Sequence, residues 1–478
     1  MRRACCQRSA TSAPQVNSVS ESSASAGPTH RAAARSTISP SAYRWPGEAQ
    51  GRVKQRVLRA NPDCRAAPER RPVRPEAERP MAELLDHDQT IRLFLPETMR
   101  CPQQAYADLR SKCPVGRMFF TNSPVVSHFK DVHDALRDPE TFSSEVDLKL
   151  GNVRPMIPQQ LDPPAQTRYR KILDPLFSRK KMAELVPAIR SHATALIDEV
   201  ADKGECEFDS AFAIPLPCTA FLSLFGLPLS DLPTFLEMKD GIIRPHKFLP
   251  PGSSDLAKAE EIRVTTSQRM YSYFEDEIAR RRAHPKQDLL GDLLAAEIDG
   301  KKLEHNEILD ICYLMLIAGL DTVTATLGCN IAYLAANPDQ RRRIVENPAL
   351  IPGAVEELLR WETPVTAVPR VAKRDVTIQG FEIKAGEIVT FLIGSANTDD
   401  GRFEDAQSVD FEREHNKHVA FGIGPHRCLG SHLARMELQV AMEEWHKRIP
   451  DYSIKAGETP TYSPGIREVM YLPLVWGR

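Results

Sequence analysis

The chain has 478 residues, 42% hydrophobic and 26% charged, with Lys+Arg 62 against Asp+Glu 64. That size suits one large or two medium domains with a substantial core, and a net charge of −2 excludes the strongly basic face of a general nucleic-acid binder. Ten cysteines, single apart from Cys5–Cys6, form neither a disulfide framework nor a CxxC metal knuckle, so a reducing compartment is the default.

Residues 1–80 carry a net charge of +9, which leaves −11 on the rest. This stretch is rich in Ser, Ala, Arg and Pro, lacks Phe and holds a single leucine, Leu58. It cannot bury enough apolar surface to offset its ordering entropy, and is expected to be disordered. Two origins fit it: an Arg- and Ser-rich targeting segment, or sequence upstream of a true start at Met81. The second is preferred. Residues 81–478 are expected to form one domain.

Between about 165 and 365 the apolar residues recur at helical spacing, which predicts helices over Met182–Val200, Asp255–Arg282, Asn306–Ala336 and Pro352–Trp361. The longest apolar run, Ile311–Leu320, is bounded by Asp310 and Asp321. It is shorter than the roughly 18 residues a membrane span needs, so no anchor is expected. Alternating apolar residues around Gly380 and Gly386 predict small antiparallel hairpins within Val371–Ser395. A loop over 396–427 precedes a last helix, Leu429–Arg448. The expected fold class is mainly α with a minor β part.

The most informative segment is Phe421–Gly430, FGIGPHRCLG, which sets three glycines around Cys428 just before a helix. Glycines permit tight turns and close approach to a flat ligand, and a helix N-terminus favours a thiolate. A thiolate can be an axial iron ligand. Two other readings stand beside this one. Cys428 can be an inert buried thiol, or it can join His415, His418, His426 and His432 in a zinc site. The glycine pattern disfavours zinc, whose compact tetrahedral site needs no flat surface beside it.

This segment resembles the haem-binding loop of the cytochrome P-450 family, with Phe421, Gly422, Gly424, His426, Cys428 and Gly430 filling its pattern. Three further segments resemble the family in order and spacing: Ala318–Thr322 its oxygen-binding groove, Glu357–Arg360 its ExxR helix, and Asp162–Arg170 a propionate-binding helix. Residues 142–145, 162–164 and 472–476 look most like the soluble bacterial camphor-hydroxylase class. The resemblance implies a triangular, helix-rich single domain with small antiparallel sheets. It also implies haem b, with Cys428 as the metal ligand.

By the same resemblance, His426, Arg370, Arg170 and Gln166 would hold the haem propionates, and Phe421 would complete the cofactor loop. Gly319 would leave room for O₂, Thr322 would hydrogen-bond the oxygen being activated, and Asp321 would relay protons. The local reading of Asp321 is a buried carboxylate satisfied by a salt bridge. Leu314, Ile317, Ala318 and Thr366 match substrate-facing positions. Ser408 stands where many members carry an arginine, which weakens the expected three-residue lock around Glu357 and Arg360. Arg154 falls near the polar substrate anchor of the camphor enzyme, where it can pair with a substrate carboxylate; exposure or a propionate contact is the preferred expectation.

The implied activity is monooxygenation of a small or mid-sized apolar, terpenoid-like substrate in the cytoplasm. No GxGxxG fingerprint is present, so electrons are expected from a separate ferredoxin and its reductase. Arg168, Arg427 and Arg435 are expected to form its basic docking patch. The alternatives are a peroxide-using or isomerising haem-thiolate enzyme, and a haem-binding sensor or carrier. The Asp321–Thr322 pair disfavours them.

Overall fold

The computed structural model describes residues 96–477, apart from 119–120, 148, 251–252, 254 and 464–465. The expectations for residues 1–80 and for a start at Met81 lie outside the described residues.

The described chain is built around one long helix, His305–Ala336. At 1.5 Å per residue its 32 residues span about 48 Å. A capping box starts it: the Glu304 side chain accepts from the Glu307 backbone, and the Glu307 carboxylate accepts from Glu304 N–H at 2.7 Å. The helix is long and apolar enough to cross a bilayer, yet 72% of its most apolar window is buried in protein. It is a core helix. Pro215–Leu224, Leu256–Ala283, Ile351–Glu362 and Ser431–Arg448 pack around it.

The helices expected from spacing are present with small shifts at their ends. The exception is Met182–Val200, which is two helices, Arg179–Ala183 and Val186–Ala201. Pro187 causes the break, because it has no N–H for the carbonyl one turn earlier and fits only a first turn.

One mixed sheet lies to the side, with strands β1 (Val115–Arg117), β2 (Pro124–Val126), β3 (Phe142–Ser143), β4 (Val368–Ala372) and β5 (Ile388–Phe391) in the order β1-β2-β5-β4-β3. The β5–β2 pair is parallel and the others antiparallel. The expected hairpin is Val376–Ile378 against Phe381–Ile383. Gln379 and Gly380 turn it with φ of 50° and 79°, the left-handed pair that a two-residue hairpin favours.

His446 is a buried histidine on the last helix, between the Met442 carbonyl (2.7 Å) and the Tyr452 hydroxyl (3.0 Å). Burial pushes its pKa from 6.5 down to about 4. The unfolded chain therefore binds a proton that the folded chain refuses across that interval. The associated stability is full above pH 6.5 and is lost as pH falls toward 4, by on the order of 3 kcal/mol. His446→Gln should flatten the fall of melting temperature between pH 6.5 and 4; an unchanged slope would remove His446 as its source.

Candidate functional site: the Cys428 loop and the central helix

The Cys428 loop is shaped by its own backbone. Cys428 N–H donates to the Phe421 carbonyl at 2.8 Å, and Gly422 and Gly424 take φ of 66° and 74°. Gly424 has a second reason to be glycine. A Cβ there would lie 2.5 Å from the Leu136 carbonyl oxygen. Phe421 closes the loop beneath Arg435, whose guanidinium carbon sits 4.4 Å from the ring centroid. Gln166 donates to the Pro425 carbonyl at 2.6 Å, and Arg170 donates to the Arg427 carbonyl at 2.9 Å while pairing with Asp174 at 2.7 Å. The helix Ala165–Leu176 therefore fastens the loop from one side.

Cys428 is accessible, although enough protein surrounds it to desolvate the sulphur. Burial pushes its thiol pKa up; the Gly430 N–H and then Arg170, Arg435 and Arg427 pull the other way without overcoming it. This differs from the thiolate expected at a helix N-terminus, because burial outweighs the dipole. In the bare chain the sulphur keeps its proton.

Two neighbouring groups are incompletely satisfied. Arg370 on β4 is buried, and its Nη1 donates only to the adjacent Pro369 carbonyl at 2.7 Å. No carboxylate pairs with it among the described residues. Burial, opposed by distant Asp162, lowers its pKa to about 10. His426 Nε2 is buried with no hydrogen-bond partner, and burial together with Arg370 lowers that pKa to about 4. An uncompensated buried cation and an orphaned ring nitrogen beside an accessible thiol call for an anionic ligand with an electrophilic centre. Among the described residues no group of three His, Cys, Asp or Glu is arranged to hold a metal, and His418 is committed to Glu356 at 3.2 Å. The zinc reading fails.

The central helix contributes Leu314, Ile317, Ala318 and Gly319, which stay partly or wholly accessible in the midst of a buried helix. Leu314 and Ile317 share a cluster with Leu429, the neighbour of Cys428. An added Cβ at Gly319 would meet only the Phe221 ring, at 3.7 Å. Thr322 is half-buried and its hydroxyl donates to the Ala318 carbonyl at 3.0 Å. Asp321 is wholly buried and takes Lys239 Nζ at 2.9 Å and Arg244 Nη1 at 2.9 Å. Adjacent in sequence, the two side chains thus have separate partners.

The model of the Cytochrome P450 family matches residues 97–445. The chain belongs to the cytochrome P450 family. A probable cytochrome P450 127A1 of Sinorhizobium fredii is 36% identical over 74% of this chain and 83% of its own. A steroid C26-monooxygenase of Mycobacterium tuberculosis is 34% identical, over 74% and 88%. The crystal structure of CYP109E1 from Bacillus megaterium in complex with testosterone superposes with a TM-score of 0.72 at 28% identity, covering 80% of this chain and 99% of that one. The P450 fold expected from the sequence is present, and the protein is an oxygen-incorporating oxidoreductase. Cytochrome P450s bind haem b through a cysteine thiolate, and the residues around Cys428 fit that group. Its iron would make the thiolate that burial disfavours, and its two propionates would supply what Arg370 and His426 lack.

Several sequence expectations need correction. Glu357 and Arg360 pair at 2.7 Å with no exposure, but the lock is not weakened at Ser408. Arg413 supplies the third basic group, its Nε 3.1 Å from Glu357, joined by Asn416 Nδ2 at 3.0 Å; Ser408 contributes its carbonyl to Arg360 at 2.7 Å. Arg154 is half-buried and ion-paired, not exposed. Its Nε is held by buried Asp310 at 2.8 Å, and its guanidinium lies over Tyr271 at 5.4 Å. Arg435 is no free surface charge, because Glu356 pairs with it at 2.6 Å, whereas Arg168 and Arg427 are exposed. The partners of Asp321 were missed; their signal was Lys239 and Arg244 at the end of a mostly apolar helix.

Replacing Arg370 with leucine separates its two effects. The haem-free chain should melt higher, since an unpaired buried charge is removed. Haem should at the same time pass faster from the loaded variant to an acceptor globin. A lower melting temperature without haem would show that Arg370 is already satisfied by the chain.

Proposed function

We propose that this P450 oxidises a small or mid-sized apolar substrate of terpenoid or related polycyclic character, in the cytoplasm, with electrons from a ferredoxin and its reductase. The observation that carries this reading is an accessible Cys428 flanked by Arg370 and His426, beside an apolar stretch of helix that ends in Asp321 and Thr322. The mostly apolar candidate walls at Leu314, Ile317, Ala318 and Thr366 support an apolar substrate. So do the steroid named for the M. tuberculosis relative and the testosterone bound by CYP109E1. The exposed Arg168 and Arg427 support an acidic partner, steered to that face by charge.

Haem ligated by thiolate supplies reductive activation of O₂ and transfer of one oxygen atom. In this reading Cys428 is the iron ligand, and Arg370 and His426 take the propionates. Gln166 and Arg170 hold the loop that carries Cys428, and Phe421 backs it. Gly319 keeps the helix thin where oxygen approaches. The Thr322 hydroxyl, released from the Ala318 carbonyl, holds a proton at the oxygen, and Asp321 replaces that proton from the interior.

Two measurements test this. Cys428→His should retain some haem but lose the red-shifted Soret band of the ferrous carbon monoxide complex together with product formation. Persistence of that band would remove Cys428 as ligand. Thr322→Ala should leave haem content, substrate binding and electron uptake nearly intact, while the electrons consumed appear increasingly as hydrogen peroxide. Wild-type coupling in that variant, with a substrate found by its high-spin spectral shift, would make Thr322 structural.

A further inference from the structure

The helix Ile351–Glu362 carries two adjacent carboxylates, Glu356 and Glu357, whose side chains diverge by about 100°. Glu357 enters the lock with Arg360 and Arg413. Glu356 meets the last helix and the start of the cysteine loop instead. It accepts twice from Arg435, Nε at 2.6 Å and Nη2 at 2.9 Å, and once from His418 Nε2 at 3.2 Å. The other nitrogen of His418 fixes its tautomer. Ala420 N–H donates to Nδ1 at 3.2 Å, so Nδ1 carries no proton and Nε2 does. The ring adds no charge, and the group consists of one carboxylate, one guanidinium and a neutral imidazole.

Both partners of Glu356 also lie against Phe421. The ring centroid is 6.2 Å from that of His418 and 4.4 Å from the Arg435 guanidinium carbon. Phe421 in turn accepts the Cys428 N–H on its carbonyl, at 2.8 Å. Arg435 is one of three cations, with Arg170 and Arg427, whose field reaches the Cys428 sulphur. The other two are muted in ways of their own. Arg170 pairs with Asp174 at 2.7 Å, and Arg427 is exposed to water, which screens it. The Arg435 side chain is only 25% exposed and stands behind an aromatic ring, where screening is weaker. Its one counter-charge is Glu356. Burial of that carboxylate is outweighed by the bonds from His418 and Arg435, which pull its pKa down to about 2, so the charge is present at neutral pH.

We propose that Glu356 sets the electron-donor strength of the Cys428 thiolate in the haem-loaded protein, by cancelling the charge that Arg435 brings to the Phe421 face of the loop. Glu356 and Arg435 are positioning residues that act through Cys428; neither touches the reacting atoms. His418 orients the carboxylate and leaves the charge count alone. The consequence falls on the preference of the iron between its ferric and ferrous forms. Reduction adds one negative charge to the site, so a nearby cation favours the ferrous form and a nearby carboxylate the ferric form. The bidentate pair holds these two pulls close to balance. The inference rests on the reading of Cys428 as the iron ligand.

Titration of the haem-loaded protein with dithionite and a mediating dye, one electron per haem, reads the ferric–ferrous equilibrium directly. Glu356→Gln should shift it toward the ferrous form by about tenfold, and Arg435→Gln toward the ferric form by a similar factor. The double variant should return close to wild type, and Glu356→Asp should stay there. Resonance Raman spectra of the ferric protein should show the iron–sulphur stretch falling in Glu356→Gln and rising in Arg435→Gln. Arg435→Lys keeps the charge without the bidentate bond, and should leave the equilibrium near wild type even where haem is held less tightly. Shifts of the same sign in the two glutamine variants would make a loosened loop their cause and overturn the proposal. An unmoved equilibrium in both, or a shift in Arg435→Lys as large as in Arg435→Gln, would do the same. The ligand reading fails separately: a wild-type ferrous carbon monoxide complex without the red-shifted band would refute it, whatever the titration gives.

Discussion

The carboxylate of Glu357 is the interaction on which the rest of this structure depends. It has no exposure, and it accepts from Arg360, Arg413, Asn416 and the Asp410 N–H. Arg360 continues the network to the carbonyls of Asn397, Ala406 and Ser408. One buried charge pair thus draws together the helix Ile351–Glu362 and the irregular chain 397–416. That irregular chain has few regular backbone partners of its own, and it leads directly into the Cys428 loop. Removing one member of such a network leaves the others charged and buried, a loss of about 3–5 kcal/mol. The network thus fixes the chain that leads into the cysteine loop, which its own glycines and the bonds from Gln166 and Arg170 then shape.

Buried charge is handled in opposite ways at the two functional stretches. Around Asp321 the protein brings its own counter-charges, Lys239 and Arg244. Around Cys428 it leaves Arg370 and His426 incompletely satisfied and keeps the thiol protonated by burial. The first arrangement is complete within the chain. The second has its complement in a dianionic cofactor with a cationic metal, so binding energy compensates a cost that the polypeptide carries alone. A cofactor held in this way is also a folding element.

Much of the fold and of the Cys428 loop could be read from the sequence, for identifiable reasons. The long helices carry sustained apolar periodicity, and Gly422 and Gly424 adopt backbone angles that few other residues tolerate. The mixed sheet was not legible. Its strands are two to five residues long, too short for an alternating pattern, and its parallel β5–β2 pair joins segments more than 260 residues apart. Arg413 was missed as the third member of the lock because a side chain can reach Glu357 from several positions on an irregular loop. Ser408, aligned with the usual arginine, gives only its carbonyl. Arg154 and Arg435 were misread for a related reason: sequence shows a charge and not its partner. Asp310 and Glu356, which neutralise them, lie 156 and 79 residues away.

The same logic explains why Asp321 and Thr322 can be neighbours and still differ in role. On a helix, consecutive side chains diverge by about 100°. A hydroxyl at 322 can therefore face the accessible stretch that includes Ala318 and Gly319, while a carboxylate at 321 enters the ion cluster. Reversing the order would put the charge at the apolar stretch and the hydroxyl among lysine and arginine. Neither would then be satisfied. Thr322 returns its hydroxyl to the Ala318 carbonyl, a local bond that costs little to exchange. Asp321 is held by two full cations, one of which, Arg244, also holds Glu468.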